Sequence, residues 1–96
     1  MLEKAKLALR ITSSKLDLEI NDLIEACKID LSISGVKIIK ETDPIIQRAI
    51  ILYCKANFGL DNKESEKYQK SYDLLKQSLS LCSDYNTVPL PPGGAI

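Results

Sequence analysis

Residues 43–59 read DPIIQRAIILYCKANFG and contain the clearest structural signal in the chain. Aspartate is a preferred helix N-cap, and proline at the first helical position loses no hydrogen bond, so Asp43 and Pro44 predict a helix start. The residues that follow are apolar on nearly every side, and Gly59 stops the pattern after Phe58. We therefore predict a central helix, packed on several sides, that ends at Phe58.

Two helices are predicted on the N-terminal side of this segment. Residues 2–11 form a short amphipathic helix, and a long helix follows it, started by a capping box of Ser14 with Asp17 and stopped by Gly35. The core stripe of the long helix follows the helical period and comprises Leu16, Ile20, Leu23, Ile24, Cys27 and Leu31. Residues 35–42 are predicted to be an ordered loop with Val36 or Ile38 in the core.

The long helix carries a second apolar set that lies off its core stripe. Its members are Leu18, Ala26, Ile29 and Ile33. Neighbouring elements of the same subunit cover this set in one interpretation, and in the other Leu18, Ile29 and Ile33 contact another subunit. The acidic residues Asp17, Glu19, Asp22 and Glu25 are interpreted as a solvated face of the same helix.

A last helix is predicted over residues 63–81, after a turn at residues 60–62. Its stripe comprises Tyr68, Tyr72, Leu75 and Leu79, widened by Leu74 and Leu81. Charges of both signs occupy its outer face, which is typical of a solvated surface: Lys63, Glu64, Glu66, Lys67, Lys70, Asp73 and Lys76. We expect an all-α fold, a small bundle of four helices with one short N-terminal helix and three longer ones.

The composition changes at Cys82. Residues 82–96 contain three of the four prolines and two of the four glycines, which predicts an extended, non-helical tail. We expect a helical domain at residues 1–81 and a tail at residues 82–96. The tail is either a frayed end or a docking segment, because its apolar side chains could fill pockets of a partner.

Charge and residue counts exclude several functions. The 96 residues make one domain, with 13 basic and 13 acidic side chains, and this zero net charge disfavours a nonspecific nucleic-acid binder. The chain has no histidine, and we assign no catalytic, cofactor-binding or metal residue, so we expect it not to be an enzyme. The three cysteines form no C-x-x-C pair, and we expect Cys27 and Cys54 to be reduced and buried. No apolar run approaches the length of a membrane span.

Four blocks of this sequence resemble the tailed-phage head-tail connector proteins, also called head-completion, adaptor or DNA-packaging proteins. They are LALRI at residues 7–11, LEIxxLIxA at residues 18–26, DPxxxRAIxLYxKAxFG at residues 43–59, and the pair Tyr68 and Tyr72. The resemblance covers residues 1–85, and the third block is its most specific part.

The resemblance implies a structural role in the virion. It implies a ring of about a dozen copies beneath the portal, which extends the DNA channel and receives the next connector or tail-completion protein. Genomic DNA passes without sequence-specific binding, no cofactor or membrane is involved, and the protein lies in the host cytoplasm during assembly. In the family the C-terminal segment reaches toward the portal protein, which corresponds here to Tyr85, Val88, Pro89, Leu90, Pro91 and Pro92.

A second class of function stays open beside the connector. A small helical DNA-associated regulatory or protein-interaction module is compatible with the same composition. Binding that falls steeply with salt would distinguish a DNA-associated module from an assembly adaptor.

Overall fold

The computed structural model describes residues 1–58 and 64–87. They form five helices and a 3₁₀ turn, Ser14–Leu16: α1 (Leu2–Leu9), α2 (Asp17–Ile33), α3 (Pro44–Asn57), α4 (Ser65–Leu81) and α5 (Ser83–Asn86). No strand occurs in these two stretches. The predicted all-α class, with one short N-terminal helix and three longer ones, is confirmed, and α5 is an addition to it.

Helix α3 is the central helix of the fold. Asp43 caps it, because its Oδ1 accepts a 2.9 Å hydrogen bond from the Ile45 backbone N–H, and Pro44 occupies the first turn. The helix packs against α1, α2 and α4. Its buried residues are Ile46, Ala49, Ile50, Leu52 and Cys54. The predicted cap and the predicted central position are both confirmed.

Helix α2 presents most of the predicted core stripe to α3. Its fully or almost fully buried residues are Ile20, Ile24, Cys27 and Leu31. The prediction is wrong for Leu16, which is exposed, because that residue lies in the 3₁₀ turn before the helix begins. The predicted capping box is also wrong, since the hydroxyl that caps the turn belongs to Ser13 and accepts from the Lys15 backbone N–H at 3.1 Å.

The loop between α2 and α3 enters the core at one position. Gly35 has a φ of 107°, a left-handed conformation that glycine adopts without strain, and it ends the helix. The Val36 N–H then donates to the Leu31 carbonyl at 2.9 Å, and the Val36 side chain is fully buried. Of the two predicted candidates, Val36 is therefore the residue that fills the core, while Ile38 is only partly buried.

Helix α4 packs against α3 through the predicted stripe. Tyr72 and Leu79 are buried, and Tyr68 and Leu75 pack partly buried against the core. The expected widening of the stripe by Leu74 and Leu81 is wrong, because both side chains are exposed on the opposite side of the helix. The predicted turn at residues 60–62 and the first residue of the predicted helix, Lys63, lie outside the described residues.

The composition predicts a tail that is extended from Cys82 onward. The structure differs at the start of this segment. Ser83–Asn86 form one helical turn, α5, which packs against α4. The Tyr85 carbonyl accepts hydrogen bonds from the Lys37 and Ile38 N–H groups at 2.6 and 3.0 Å. These contacts hold the segment on the α2–α3 loop, a long-range pairing that local composition does not encode. Residues 88–96, the larger part of the predicted tail, lie outside the described residues.

Candidate interaction surfaces

Helix α2 has an apolar stripe on the side that faces away from the core. Leu18, Ile29 and Ile33 are 76%, 60% and 80% exposed. Leu18 lies nine residues before the buried Cys27, which is about two and a half helical turns and therefore the opposite side of the helix. Within the described residues nothing buries the stripe, so the interpretation in which the same subunit covers it gains no support. The role of these three residues at a subunit interface stays a prediction.

Two acidic residues lie within this stripe. Asp22 and Glu25 fall between Leu18 and Ile29 at helical spacing, and both are exposed. We call these five residues the α2 outer face: Leu18, Asp22, Glu25, Ile29 and Ile33. The first acidic residue of the helix behaves differently, because Asp17 forms an ion pair of 2.8 Å with Lys6 of α1. The prediction of a solvated acidic face is therefore wrong for Asp17.

Helix α4 has a corresponding outward surface. Leu74 and Leu81 are 60% and 76% exposed, and the exposed Lys67 and Lys70 precede them on the same side of the helix. We call these four residues the α4 outer face: Lys67, Lys70, Leu74 and Leu81. The predicted solvated position of the two lysines is confirmed. The predicted core position of the two leucines is wrong, because both are exposed on the same side of the helix as the lysines.

A partly buried polar network joins α2 to α4 behind these faces. The Tyr72 hydroxyl donates to Asp30 Oδ2 at 2.6 Å, Lys76 Nζ donates to the same oxygen at 3.0 Å, and Cys27 Sγ lies 3.8 Å from the Tyr72 hydroxyl. Burial acts to raise the pKa of Asp30, but the hydrogen bonds from Tyr72 and Lys76 outweigh it and leave the pKa below its usual value. Burial, followed by the hydrogen bond to Asp30, raises the pKa of Tyr72. The network thus contains an ionised carboxylate and a neutral phenol at neutral pH.

The sequence contains little signal for this network. Asp30 lies in the last turn of α2 and resembles any exposed polar residue until the partner helix is placed. A lysine and a tyrosine four residues apart on α4 share one face, which is the only local hint.

The two buried thiols behave as core side chains, as predicted. Burial raises the pKa of Cys27 to about 12 and that of Cys54 to about 11, so both thiols are protonated at neutral pH. A protonated thiol is a poor nucleophile and a poor metal ligand. Among residues 1–58 and 64–87, no group of three or more histidine, cysteine or acidic residues is arranged to hold a metal ion.

The C-terminal segment is fastened to the body through Tyr85. Its hydroxyl donates a 2.8 Å hydrogen bond to Asp43 Oδ2, the carboxylate that also caps α3. This hydrogen bond raises the pKa of Tyr85 and lowers that of Asp43. Tyr85 is therefore the point at which the predicted tail is attached, whereas Val88, Pro89, Leu90, Pro91 and Pro92 lie outside the described residues.

A groove of about 680 Å³ lies beside α1. Its walls include the cationic residues Lys6, Arg10 and Lys55. Lys6 is already neutralised by Asp17, and the Lys55 ammonium lies 5.2 Å from the centre of the Tyr68 ring. We assign no ligand to this groove. None of the helices in the described part of the chain is long and apolar enough to cross a membrane.

Comparison with known proteins identifies the family. The family model described as phage connector protein matches residues 1–86, which span α1 to α5 and end just before the undescribed C-terminal residues. No curated protein and no solved structure matched the chain. Because the match covers nearly the whole sequence, and because the four blocks noted above lie inside it, the chain belongs to the phage connector protein family.

Proposed function

We propose that this protein is the head-tail connector, or adaptor, subunit that forms a ring of about a dozen copies beneath the portal of a filled phage head. The ring extends the DNA channel and receives the next connector or tail-completion protein. Its work is structural, and no covalent bond is made or broken. The protein resides at the head-tail junction of the virion and in the host cytoplasm during assembly. This proposal rests on the family match together with two outward apolar faces.

The observation that carries the proposal is the exposure of Leu18, Ile29 and Ile33. Three large aliphatic side chains on one face of a two-sided helix are an association surface in a small protein. A connector subunit needs lateral contacts of this kind, since a ring of identical subunits forms through one repeated interface.

The net charge of zero suits a channel subunit. A lining rich in lysine and arginine would bind the DNA backbone, and an unbalanced acidic lining would repel it. The subunit carries 13 charges of each sign. Genomic DNA would therefore pass without being held.

The residues after Thr87 are proposed to dock on the portal protein. They comprise Val88, Pro89, Leu90, Pro91 and Pro92 and follow directly on α5, which is fixed to the body by Tyr85. A chain restricted by three prolines loses less conformational entropy when it orders on a partner. Attachment at Tyr85 would set the point from which this segment leaves the subunit.

The experiment is cosedimentation with portal rings from the same phage or prophage. The full chain is compared with a chain ended after Thr87, which keeps every contact of Tyr85 described above. We expect the full chain to sediment with the portal and the shortened chain to lose binding. Binding that survives the truncation would move the portal contact to the helices. If neither chain binds an assembled portal, the connector proposal fails, and salt-dependent DNA binding becomes the next measurement.

A further inference from the structure

The two outer faces carry opposite charges beside their apolar residues. The α2 outer face has the carboxylates Asp22 and Glu25, and the α4 outer face has the ammonium groups of Lys67 and Lys70. In the described residues, Glu25 has one charged neighbour, the Lys28 ammonium at 3.6 Å, and it stays well exposed. On each face a charged pair is followed by apolar residues, and the two charged pairs are complementary. The α2 outer face has one further apolar residue, Leu18, before its charged pair.

The order of these parts along the two helices is the same. Asp22, Glu25 and Ile29 follow one another at intervals of three and four residues, and so do Lys67, Lys70 and Leu74. Each residue of the first set has its counterpart 45 residues later: Asp22 with Lys67, Glu25 with Lys70, and Ile29 with Leu74. Further along, Ile33 and Leu81 extend the apolar part of each face. Two helices laid side by side in the same direction would place carboxylates on ammonium groups and Ile29 on Leu74.

Within one subunit, α2 and α4 already run in the same direction with this register. Cys27 contacts Tyr72, a pair 45 residues apart, and Asp30 contacts Lys76, a pair 46 residues apart. Just beyond the end of α2, a Cβ at Gly35 would lie 3.7 Å from the Cβ of Ser80, again 45 residues later. Residues that correspond by this offset therefore lie at about the same height along the bundle.

The two faces point away from each other. Cys27 of α2 contacts Tyr72 of α4. Leu18 lies nine residues before Cys27 in α2, and Leu81 lies nine residues after Tyr72 in α4. Nine residues correspond to about two and a half turns, so both outer faces are on the far sides of their helices. One subunit cannot bring its own two faces together, but a neighbouring copy can.

We propose that the α2 outer face of one subunit packs in parallel on the α4 outer face of the next copy, with Asp22 and Glu25 opposite Lys67 and Lys70 and with Ile29 opposite Leu74. The inference rests on the proposed ring and names its repeated contact. Because matching residues share one height, neighbours are related by rotation about an axis along the helices without a rise. A head-to-tail contact of this kind closes into a ring and does not extend into a filament.

Disulfide crosslinking between two variants tests this contact, each with one introduced exposed cysteine beside the buried Cys27 and Cys54. Full-length Ile29→Cys and Leu74→Cys chains, both with Cys82→Ser and one carrying a mass tag, are mixed and oxidised with and without portal rings. We expect a disulfide dimer that contains one chain of each kind, since facing positions on packed helices bring Cβ atoms within bonding range. Each variant alone should give no dimer, and a chain with both substitutions should give a ladder of higher oligomers.

The exposed Leu7 of α1 supplies the matched control. Leu7→Cys mixed with Leu74→Cys should give no dimer, because Leu7 belongs to neither face. Dimers of Ile29→Cys alone would overturn the proposal, since they indicate a symmetric contact between two α2 faces. Rings that sediment with the portal but show no mixed dimer would overturn this contact and leave the connector role standing. A chain that stays monomeric both alone and with the portal would overturn the ring and this contact together.

Charge reversal gives an independent measurement on the same assembly. The pair Asp22→Lys with Glu25→Lys should lower the yield of mixed dimer by about tenfold, because like charges then oppose one another. The pair Lys67→Glu with Lys70→Glu should do the same. Mixing the chain reversed on α2 with the chain reversed on α4 should restore the disulfide dimer between these two faces, because they again carry opposite charges. Failure of the mixture to restore it would exclude the proposed pairing.

Discussion

The hydroxyl of Tyr72 donates a 2.6 Å hydrogen bond to the carboxylate of Asp30, and this contact joins α4 to α2 at the edge of the core. Tyr72 is fully buried, while Asp30 also receives the Lys76 ammonium at 3.0 Å. The contact holds the two helices in the register that sets their outer faces at equal height. It thus links the packing of one subunit to the geometry proposed for the assembly.

Removing the Tyr72 hydroxyl should destabilise the subunit while preserving its core volume. We expect Tyr72→Phe to lower the free energy of unfolding by about 1 to 3 kcal/mol, because a hydrogen bond to a carboxylate is lost. Urea denaturation followed by circular dichroism measures the change. The control is Tyr68→Phe, which should change stability by less than about 0.5 kcal/mol, since Tyr68 is only partly buried and its ring is retained. Equal stability of wild type and Tyr72→Phe would contradict the assigned role.

Acid should destabilise the fold through three carboxylates. A hydrogen bond from Lys28 lowers the pKa of Glu41, and one from Tyr85 lowers the pKa of Asp43. Burial acts to raise the pKa of Asp30, but the hydrogen bonds from Tyr72 and Lys76 outweigh this effect and lower it. A carboxyl with a lowered folded-state pKa stabilises the fold above its unfolded pKa of about 4 and loses this contribution as the pH falls through the folded value.

Thermal unfolding at a series of pH values measures this loss. We expect the Tm to be nearly constant between about pH 7 and pH 5 and to fall below about pH 4. Asp30→Asn should start from a lower Tm and show a smaller acid-induced fall. A Tm of wild type that rises on acidification would contradict the direction of these pKa shifts.

Truncation of the central helix should be costly. Ile50 is fully buried, and the Tyr53 ring packs edge-on against Tyr72 with centroids 5.2 Å apart. We expect Ile50→Ala or Tyr53→Ala to cost about 2 to 5 kcal/mol. Leu74→Ala is the matched control and should cost less than about 0.5 kcal/mol in the monomer, because that side chain is exposed. A Tm unchanged by both core substitutions would show that α3 is not central.

The attachment of α5 should be visible in amide exchange. The N–H groups of Lys37 and Ile38 donate to the Tyr85 carbonyl, so both amides should exchange slowly in the full chain. A chain ended after Thr87 should keep this protection, whereas one ended after Ser83 should lose it. Fast exchange of both amides in the full chain would show that the segment is not held on the loop.

A charge introduced at Ile29, in the apolar part of the α2 outer face, should weaken association without changing the fold. Ile29 is exposed, so we expect Ile29→Asp to weaken lateral association and portal-dependent assembly while helicity is unchanged. Sedimentation velocity and circular dichroism measure the two properties. The comparison is Ile24→Asp, whose buried position should make that substitution unfold the chain. A loss of helical signal in Ile29→Asp would show that Ile29 belongs to the core.

Local sequence was sufficient for the elements whose signals lie within a few residues. The cap formed by Asp43, the break at Gly35 and the periodic stripe of α2 depend on backbone geometry and helical spacing, which neighbouring residues specify. The composition likewise predicted buried, reduced Cys27 and Cys54.

Only the tertiary structure decided which apolar surfaces are covered. Periodicity shows that Ile20 and Ile24 share one side of α2 and that Leu18 and Ile29 share another, but the position of α3 determines which side is buried. The same holds for Leu74 and Leu81 on α4, for the ion pair of Lys6 with Asp17, and for the contacts of Tyr85. These contacts join residues far apart in the chain, and their energies depend on distances that exist only after the helices have packed.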